Sequence, residues 1–354
     1  AIELESQMAE LRIVTHATDD EYAQFANTVA STAQDVSASI SDIISATTTY
    51  SRLGYDINEA SALAKYTGML ERVGDIDASA AEDAVTSILK AFSDEIGVSN
   101  AESVMDRLVT VGNNFPISVS QIATAMTNAS SSMAAAGNTF NQSLALLTAA
   151  NTTIQDASKS STGLRTITAR LRNTKAELDE LGETMTSAKY EEIVQMLSDH
   201  RISLMNLNGE YRSTYDIMKD IASIWEELSS TEQAALATEI AGVRQQAVFY
   251  SLVEQFNEAE SAMSAMEDSA GSLTNAYAIY EETTAAHLKT LGAAWDKLSQ
   301  DVTSSEFNKS VIDLATNIVN VADSLARVNG LLPTIIVGIA GIQGLRIAAN
   351  VLKM

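Results

Sequence analysis

The residues that could do chemistry are few, and their spacing does not suit it. Three histidines occur, His16, His200 and His287. None stands in a His-x-x-x-His or His-Glu-x-x-His pattern, the spacing that sets two imidazoles on one helix face around a metal. Carboxylates are abundant, and the adjacent pairs Glu226/Glu227 and Glu281/Glu282 lie in helical stretches where charge faces water. An acid–base pair of the glycosidase kind depends only on separation in space, and nothing in the sequence selects one pair over another. No Gly-x-Ser-x-Gly elbow and no phosphate-cradling glycine loop is present. With no cysteine there is neither thiol chemistry nor a disulfide framework. One cationic run, Arg165, Arg170, Arg172 and Lys175, is expected to be a solvated helix face, with a phosphate-binding strip as the alternative. The sequence therefore assigns no catalytic, cofactor-binding or metal-binding residue, calls for no cofactor, and does not describe an enzyme.

The elements that would have to position any site are helices. Aromatic residues make up only 5% of the chain and there are two prolines, Pro116 and Pro333, against a background of Ala, Ser, Thr, Leu and Ile. Such a composition favours helix and lets helices approach closely. A formal net charge of −24 argues against a protein that grips nucleic acid through its overall field. It also disfavours adsorption to anionic lipid. A punctuation pattern recurs: Gly54-Tyr-Asp56-Ile-Asn-Glu59, Gly97-Val-Ser99-Asn-Ala-Glu102 and Gly137-Asn-Thr139-Phe-Asn-Gln142, with a looser version from Gly112 through Pro116 to Ser118 and Gln121. Glycine ends one helix, and the Asp, Ser or Thr caps the next while Glu or Gln closes the box. The pattern predicts an all-α fold, a bundle of antiparallel helices joined by short turns.

Apolar residues recur at helical spacing in Leu63, Tyr66, Met69/Leu70 and Val73; in Val85, Ile88/Leu89 and Phe92; in Val104, Leu108 and Val111; and in Leu144, Leu147 and Ile154. Met126 and Met133, seven apart, are expected to fill the core. Ser158–Lys175 is expected to connect this bundle to a charged helix, Ala176–Leu197, with further helices over Ala247–Asp268 and Ser272–Gln300. Composition suggests three regions, 1–157, 158–305 and 306–354. In the last, Val311, Ala315, Ile318, Ala322 and Leu325 form a two-repeat heptad seam, either an oligomer contact or one more bundle helix. Leu331–Leu345 then runs fifteen residues without charge, short of a membrane span. A buried C-terminal apolar helix is expected there, with membrane contact through Gly338, Gly341 and Gly344 as the alternative. The first thirty residues lack the basic and apolar runs of a signal peptide. A start at Ala1 and an end within an apolar segment are expected of a piece of a longer chain.

The most informative stretch is Leu204–Leu252. Asn206–Gly209 forms a turn. Tyr215, Met218, Ile221/Ala222, Trp225 and Leu228 make one apolar stripe, and Ser230 with Gln233 is expected to open the next helix. Gly242 interrupts that helix, after which Val243, Val248/Phe249, Leu252/Val253 and Phe256 resume the repeat. Trp225, Tyr215 and Phe249 are expected to be packing residues, and Arg212 and Arg244 are the two candidates to test for partner contacts. LNGEYRSTYDIMKDIASIWEEL, followed by LATEIAGVRQQAVFYSLVEQF, resembles the core of phage tail tape measure proteins. Gly54-Tyr-Asp-Ile-Asn-Glu-Ala and Ser160-Ser-Thr-Gly-Leu-Arg-Thr with Arg170 are similar to the same family's turns and signature. The resemblance implies a virion structural protein of the tail lumen, made in the host cytoplasm. It would help set tail length and leave ahead of the DNA. Its partners would be other copies of itself, the tail tube and distal tail proteins, and the host membrane through Leu331–Leu345. A helical pore-forming or membrane-active protein is the alternative. As one rod, 354 residues would span roughly 530 Å, so glycine-capped turns imply that the ruler proper lies elsewhere in a parent chain.

Overall fold

The computed structural model describes residues 2–97 and 100–301, with 316, 317 and 320 as isolated positions. The heptad seam and the Leu331–Leu345 segment lie outside the described residues, as does the turn at Val98-Ser99. Among the described residues the chain is all-α, with sixteen helices and one isolated antiparallel bridge between Met205 and Tyr211. None of these helices is long and apolar enough to cross a membrane. The chain divides into two compact units, with boundaries at Val73/Gly74 and Leu273/Thr274. The compositional change at 157 falls inside the second unit.

The first unit contains α1 (Ile2–Thr15), α2 (Asp19–Asp35), α3 (Ile40–Arg52), α4 (Ile57–Gly74), α15 (Ser272–Glu281) and α16 (Thr284–Asp301). Helix α3 packs on α1 and α2, and α16 packs on α2. Capping boxes open α2 at Thr18 and α3 at Ser39. Asp56 accepts from the amides of Asn58 and Glu59, both at 2.9 Å, as its spacing from Gly54 predicts. Inside the unit the Tyr50 hydroxyl pairs with Thr67 at 2.7 Å, and Tyr277 donates to Ser37 at 3.2 Å. Burial pushes the Tyr277 hydroxyl up to about 12. The helix expected over Ser272–Gln300 is two, broken at Glu282 and Thr283 between α15 and α16.

The second unit holds α5 (Ala78–Ala91), α6 (Ala101–Asn114), α7 (Val119–Ala135), α8 (Phe140–Ile154), α9 (Ala157–Leu171), α10 (Lys175–Glu180), α11 (Ser187–Asp199), α12 (Thr214–Ile224), α13 (Ser230–Glu254) and α14 (Phe256–Glu267). Capping boxes at Ser118/Gln121 and Thr139/Gln142 open α7 and α8 as their spacing requires. The expected apolar faces are the core: Val85, Ile88, Val104, Leu108, Met126, Met133, Leu144 and Leu147 are all buried. Phe92 meets Phe140 edge-to-face at 5.8 Å. Asp106, also buried, accepts from the amides of Gly271 and Leu273 at 2.9 and 2.8 Å and so satisfies both free donors.

Several boundaries differ from the sequence reading. Ser158–Lys175 is no connector: α9 occupies most of it and packs against α7, α8, α10 and α13. Its Ser160, Ser161, Gly163, Thr166 and Thr168 are small enough to let four neighbours close in, and a hydropathy pattern does not register that. The charged helix expected over 176–197 is two, α10 and α11, separated at Gly182 (φ 67°). The long helix expected from Ala247 to Asp268 breaks at Gln255 (φ −111°, ψ 24°), which ends α13 and precedes α14.

Helices α9 and α13 approach closely. A methyl group at Gly163 would lie 2.6 Å from the β-carbon of Val248, which real atoms do not tolerate. Gly163→Ala should therefore destabilise the fold by roughly 1–3 kcal/mol despite alanine's better helix propensity. Gly163→Ala with Val248→Ala should be more stable than the sum of the two single losses, by a coupling of about 1 kcal/mol or more in urea denaturation. Strict additivity would show that the contact does not set the helix spacing.

Candidate functional site

The polar groups of the second unit gather around α9. Asp156 caps it, accepting from the Lys159 amide at 3.0 Å. Ser160 donates to Asn151 on α8 at 3.1 Å, Asn128 on α7 donates to Ser161 at 2.9 Å, and Thr168 pairs with Thr214 on α12 at 3.2 Å. With Thr166 donating to the Thr162 carbonyl of its own helix at 3.0 Å, each hydroxyl that α9 buries has a partner, which removes the desolvation penalty that would otherwise make such a helix unstable inside.

The three arginines are not a solvated face, which corrects the sequence expectation. Arg165 donates to Glu177 at 2.7 Å and to Glu180 at 2.8 Å, both on α10, and to Asn128 at 3.3 Å. Burial works against the Arg165 charge, but the two carboxylates outweigh it and raise its pKa. Burial would likewise lift Glu177, and the hydrogen bonds from Arg165 and Ser132 overcome that and hold it below its ordinary 4.5. Arg170 is 2% exposed. Its Nε donates to the Glu239 carbonyl at 2.8 Å and its Nη1 to the Thr184 carbonyl at 3.4 Å. Arg172 lies over the Tyr211 ring at 4.8 Å and donates to the Ala136 carbonyl at 2.8 Å. Burial lowers its pKa. These donors are consumed within the fold, so the strip is not arranged for phosphate; Lys175 alone of the run is exposed.

The Leu204–Leu252 stretch wraps this helix. Asn206 builds the hairpin, its side-chain oxygen accepting from the Asn208 and Glu210 amides at 2.9 and 3.0 Å, and this presents a fully exposed Leu207 at the tip. Ser213 caps α12 through the Asp216 amide at 3.1 Å. The stripe Tyr215, Met218, Ile221, Trp225 and Leu228 is buried as expected. Trp225 meets Phe249 at 5.7 Å and Tyr250 at 5.8 Å, while Tyr215 meets Phe256 at 5.2 Å. The cap of α13 is Ser229 with Glu232, not Ser230 with Gln233. Ser229 and Ser230 each stand three residues before a Glu or Gln, and Gln233 instead donates to the Trp225 carbonyl at 2.8 Å. Gly242 breaks α13, as expected, but Val243 is turned out to 79% exposure rather than continuing the apolar repeat. Arg212 is engaged internally, paired with Asp220 at 2.7 Å, whereas Arg244 is 70% exposed.

Two clefts flank this stretch. One, of about 470 Å³, is lined by Trp225, Val253, Phe256, Glu226 and a Lys219–Glu260 pair at 2.8 Å. The other, of about 650 Å³, lies beside the hairpin and includes Thr139, Ser203, Tyr211 and Ser213. Its hydroxyls are committed: Thr139 and Ser213 cap helices, Ser203 donates to the Met205 carbonyl, and Tyr211 pairs with Tyr190. No hydroxyl there faces a general base, the arrangement nucleophilic catalysis needs. Among the described residues no three His, Asp or Glu side chains are placed to hold a metal. His200 stands 3.9 Å from Glu232 and His16 is exposed in a turn.

The arrangement is that of a helical structural module, in which polar groups are spent on caps and interhelical contacts. The chain belongs to the phage-related minor tail protein family, whose model matches residues 19–242. That makes it a structural phage tail protein, associated with the virion. No solved structure matches it.

The Arg165–Glu177 pair has a pH signature. Because the folded-state pKa of Glu177 is depressed, its contribution is complete above the ordinary carboxylate value and is lost as pH falls through the lowered one. Glu177→Gln should lower stability by about 1–2 kcal/mol at pH 7. It should also flatten the loss of stability of the wild type below about pH 4.5. Parallel acid-denaturation profiles for the two proteins would refute this account.

Proposed function

We propose that this chain is part of a tail tape measure protein, and that it serves as a compact helical domain carried with the ruler. The observation that carries the reading is the second unit, in which successive capped helices fold back on the buried α9. Membership of the minor tail family supports a place in the tail. The resemblance of Leu207–Phe256 and Ser160–Thr166 to tape measure cores supports the finer assignment. On this reading the protein takes part in setting tail length during assembly, lies in the tail lumen, and leaves ahead of the DNA. Its role is non-catalytic. Its partners are other copies of itself and the tail tube and distal tail proteins, with Leu331–Leu345 as the segment offered to the host membrane. It makes no sequence-specific contact with nucleic acid, in keeping with its net charge of −24.

Tail length distinguishes a compact domain from a ruler segment. Duplicating Gly74–Leu273 in the virion gene would lengthen the tail by about 300 Å if these residues lay extended as helix. The expected result is tails of unchanged length in electron micrographs, with tails of irregular length, or none, when expression of the protein is abolished. Growth by the full amount would overturn the compact-domain reading, and uniform normal tails without the protein would overturn the tape measure assignment.

A further inference from the structure

Helix α13 is broken by a single residue. Gly242 has φ 68° and ψ 164°, a region open to glycine alone, while the residues on either side are helical. A side chain at this position would be strained, and its β-carbon would also come within 3.1 Å of Glu183 Oε2. In an uninterrupted helix the Glu239 carbonyl would accept from the amide of Val243. Here Arg170 Nε, from α9, donates to it at 2.8 Å. A buried guanidinium thus supplies a donor where the helix turns away. Its positive charge also sits at the C-terminal end of the first arm, where the helix dipole favours it.

The surrounding groups reinforce the bend loosely. Glu183 lies 4.0 Å from Arg170 and 3.7 Å from Arg244, and Glu239 lies 3.9 Å from Arg170 and 3.7 Å from Lys189 of α11. Oε2 of Glu239 is buried without a hydrogen-bond partner. Gln246 donates to Thr238 at 2.8 Å across the break. The two arms are held unequally. The second buries Val248, Phe249, Leu252 and Val253 and is locked against Gly163, while the first buries only Leu236, Ala237, Ile240 and Ala241.

We propose that Gly242 is a two-state hinge and Arg170 its latch: α13 stands bent while the guanidinium holds the Glu239 carbonyl, and straightens into one continuous helix when that contact is lost. The first arm, Ser230–Ala241, is the one that swings. In the backbone, straightening needs one residue to return to helical dihedrals, and it restores the helix's own amide as the partner of the Glu239 carbonyl; in packing, it requires Leu236, Ala237, Ile240 and Ala241 to leave their present contacts.

The chain has no cysteine, so Thr231→Cys and Glu254→Cys, both at exposed positions, give two unique sites for spin labels. In a straight helix they stand about 35 Å apart along the axis, and in the bent form they are closer. Double electron–electron resonance should show the shorter distance in the otherwise wild-type chain. Gly242→Ala and Arg170→Met should each move a substantial share of molecules to the longer distance with helical circular dichroism retained, and their combination should move most of them. The hinge is refuted if the folded variants keep the short distance, or if Gly242→Ala fails to fold. Loss of the folded state in Arg170→Met would overturn the latch in the same way, since the guanidinium would then be a requirement of the core and not a release.

Discussion

Three arginines on α9 and its C-cap, Arg170 buried and Arg165 and Arg172 half-buried, are the constraint around which the second unit is arranged. A guanidinium moved out of water must meet fixed acceptors, or the desolvation cost exceeds what packing returns. Each of these arginines therefore dictates the position of another segment. Arg165 draws α10 in through Glu177 and Glu180. Arg172 takes the Ala136 carbonyl at the end of α7 and the face of Tyr211 in the hairpin. Arg170 takes the carbonyls of Thr184 and Glu239, and so fixes both the turn after α10 and the bend of α13.

Packing follows the same economy of small side chains. With so few aromatic residues, the unit fills its interior by bringing helices close, as at Gly163 against Val248 and Gly112 against Val119. Ser251 of α13 reaches the Ala149 carbonyl of α8 at 3.0 Å, a bond possible only at short helix separation. The aromatic residues that do occur are concentrated where α12, α13 and α14 meet, at Tyr215, Trp225, Phe249 and Phe256. The edge-to-face contacts of Trp225 there add about 1 kcal/mol each beyond burial. Charge is left mostly to the exterior.

Function follows from where polar groups are spent. Hydroxyls beside the larger cleft cap helices or close turns, and carboxylates near α9 pair with its arginines. That distribution suits a protein whose task is to hold a shape within an assembly, in accord with its membership of a phage tail family.

Much of this was legible in the sequence, and the part that was not has a common cause. Helix caps at Asp56, Ser118 and Thr139, the apolar stripes, and the break at Gly242 are local: a side chain bonding to an amide three residues on needs no knowledge of the rest of the chain. The burial of Tyr215, Trp225 and Phe249 was likewise readable from their spacing. The cap at Ser229 was missed because Ser229/Glu232 and Ser230/Gln233 fit the box spacing equally, and the splits at Gly182 and Gln255 because helical composition continues through them. The fate of Arg165, Arg170 and Arg172 could not be read at all. Spacing along α9 says which residues share a face, but only the fold decides whether that face meets water or meets Glu177, Ala136 and Glu239. The sequence by itself determined an all-α chain with capped, short-turn helices. Tertiary structure alone decided that its most polar helix is central, because a buried charge is stable only when acceptors distant in sequence converge on it.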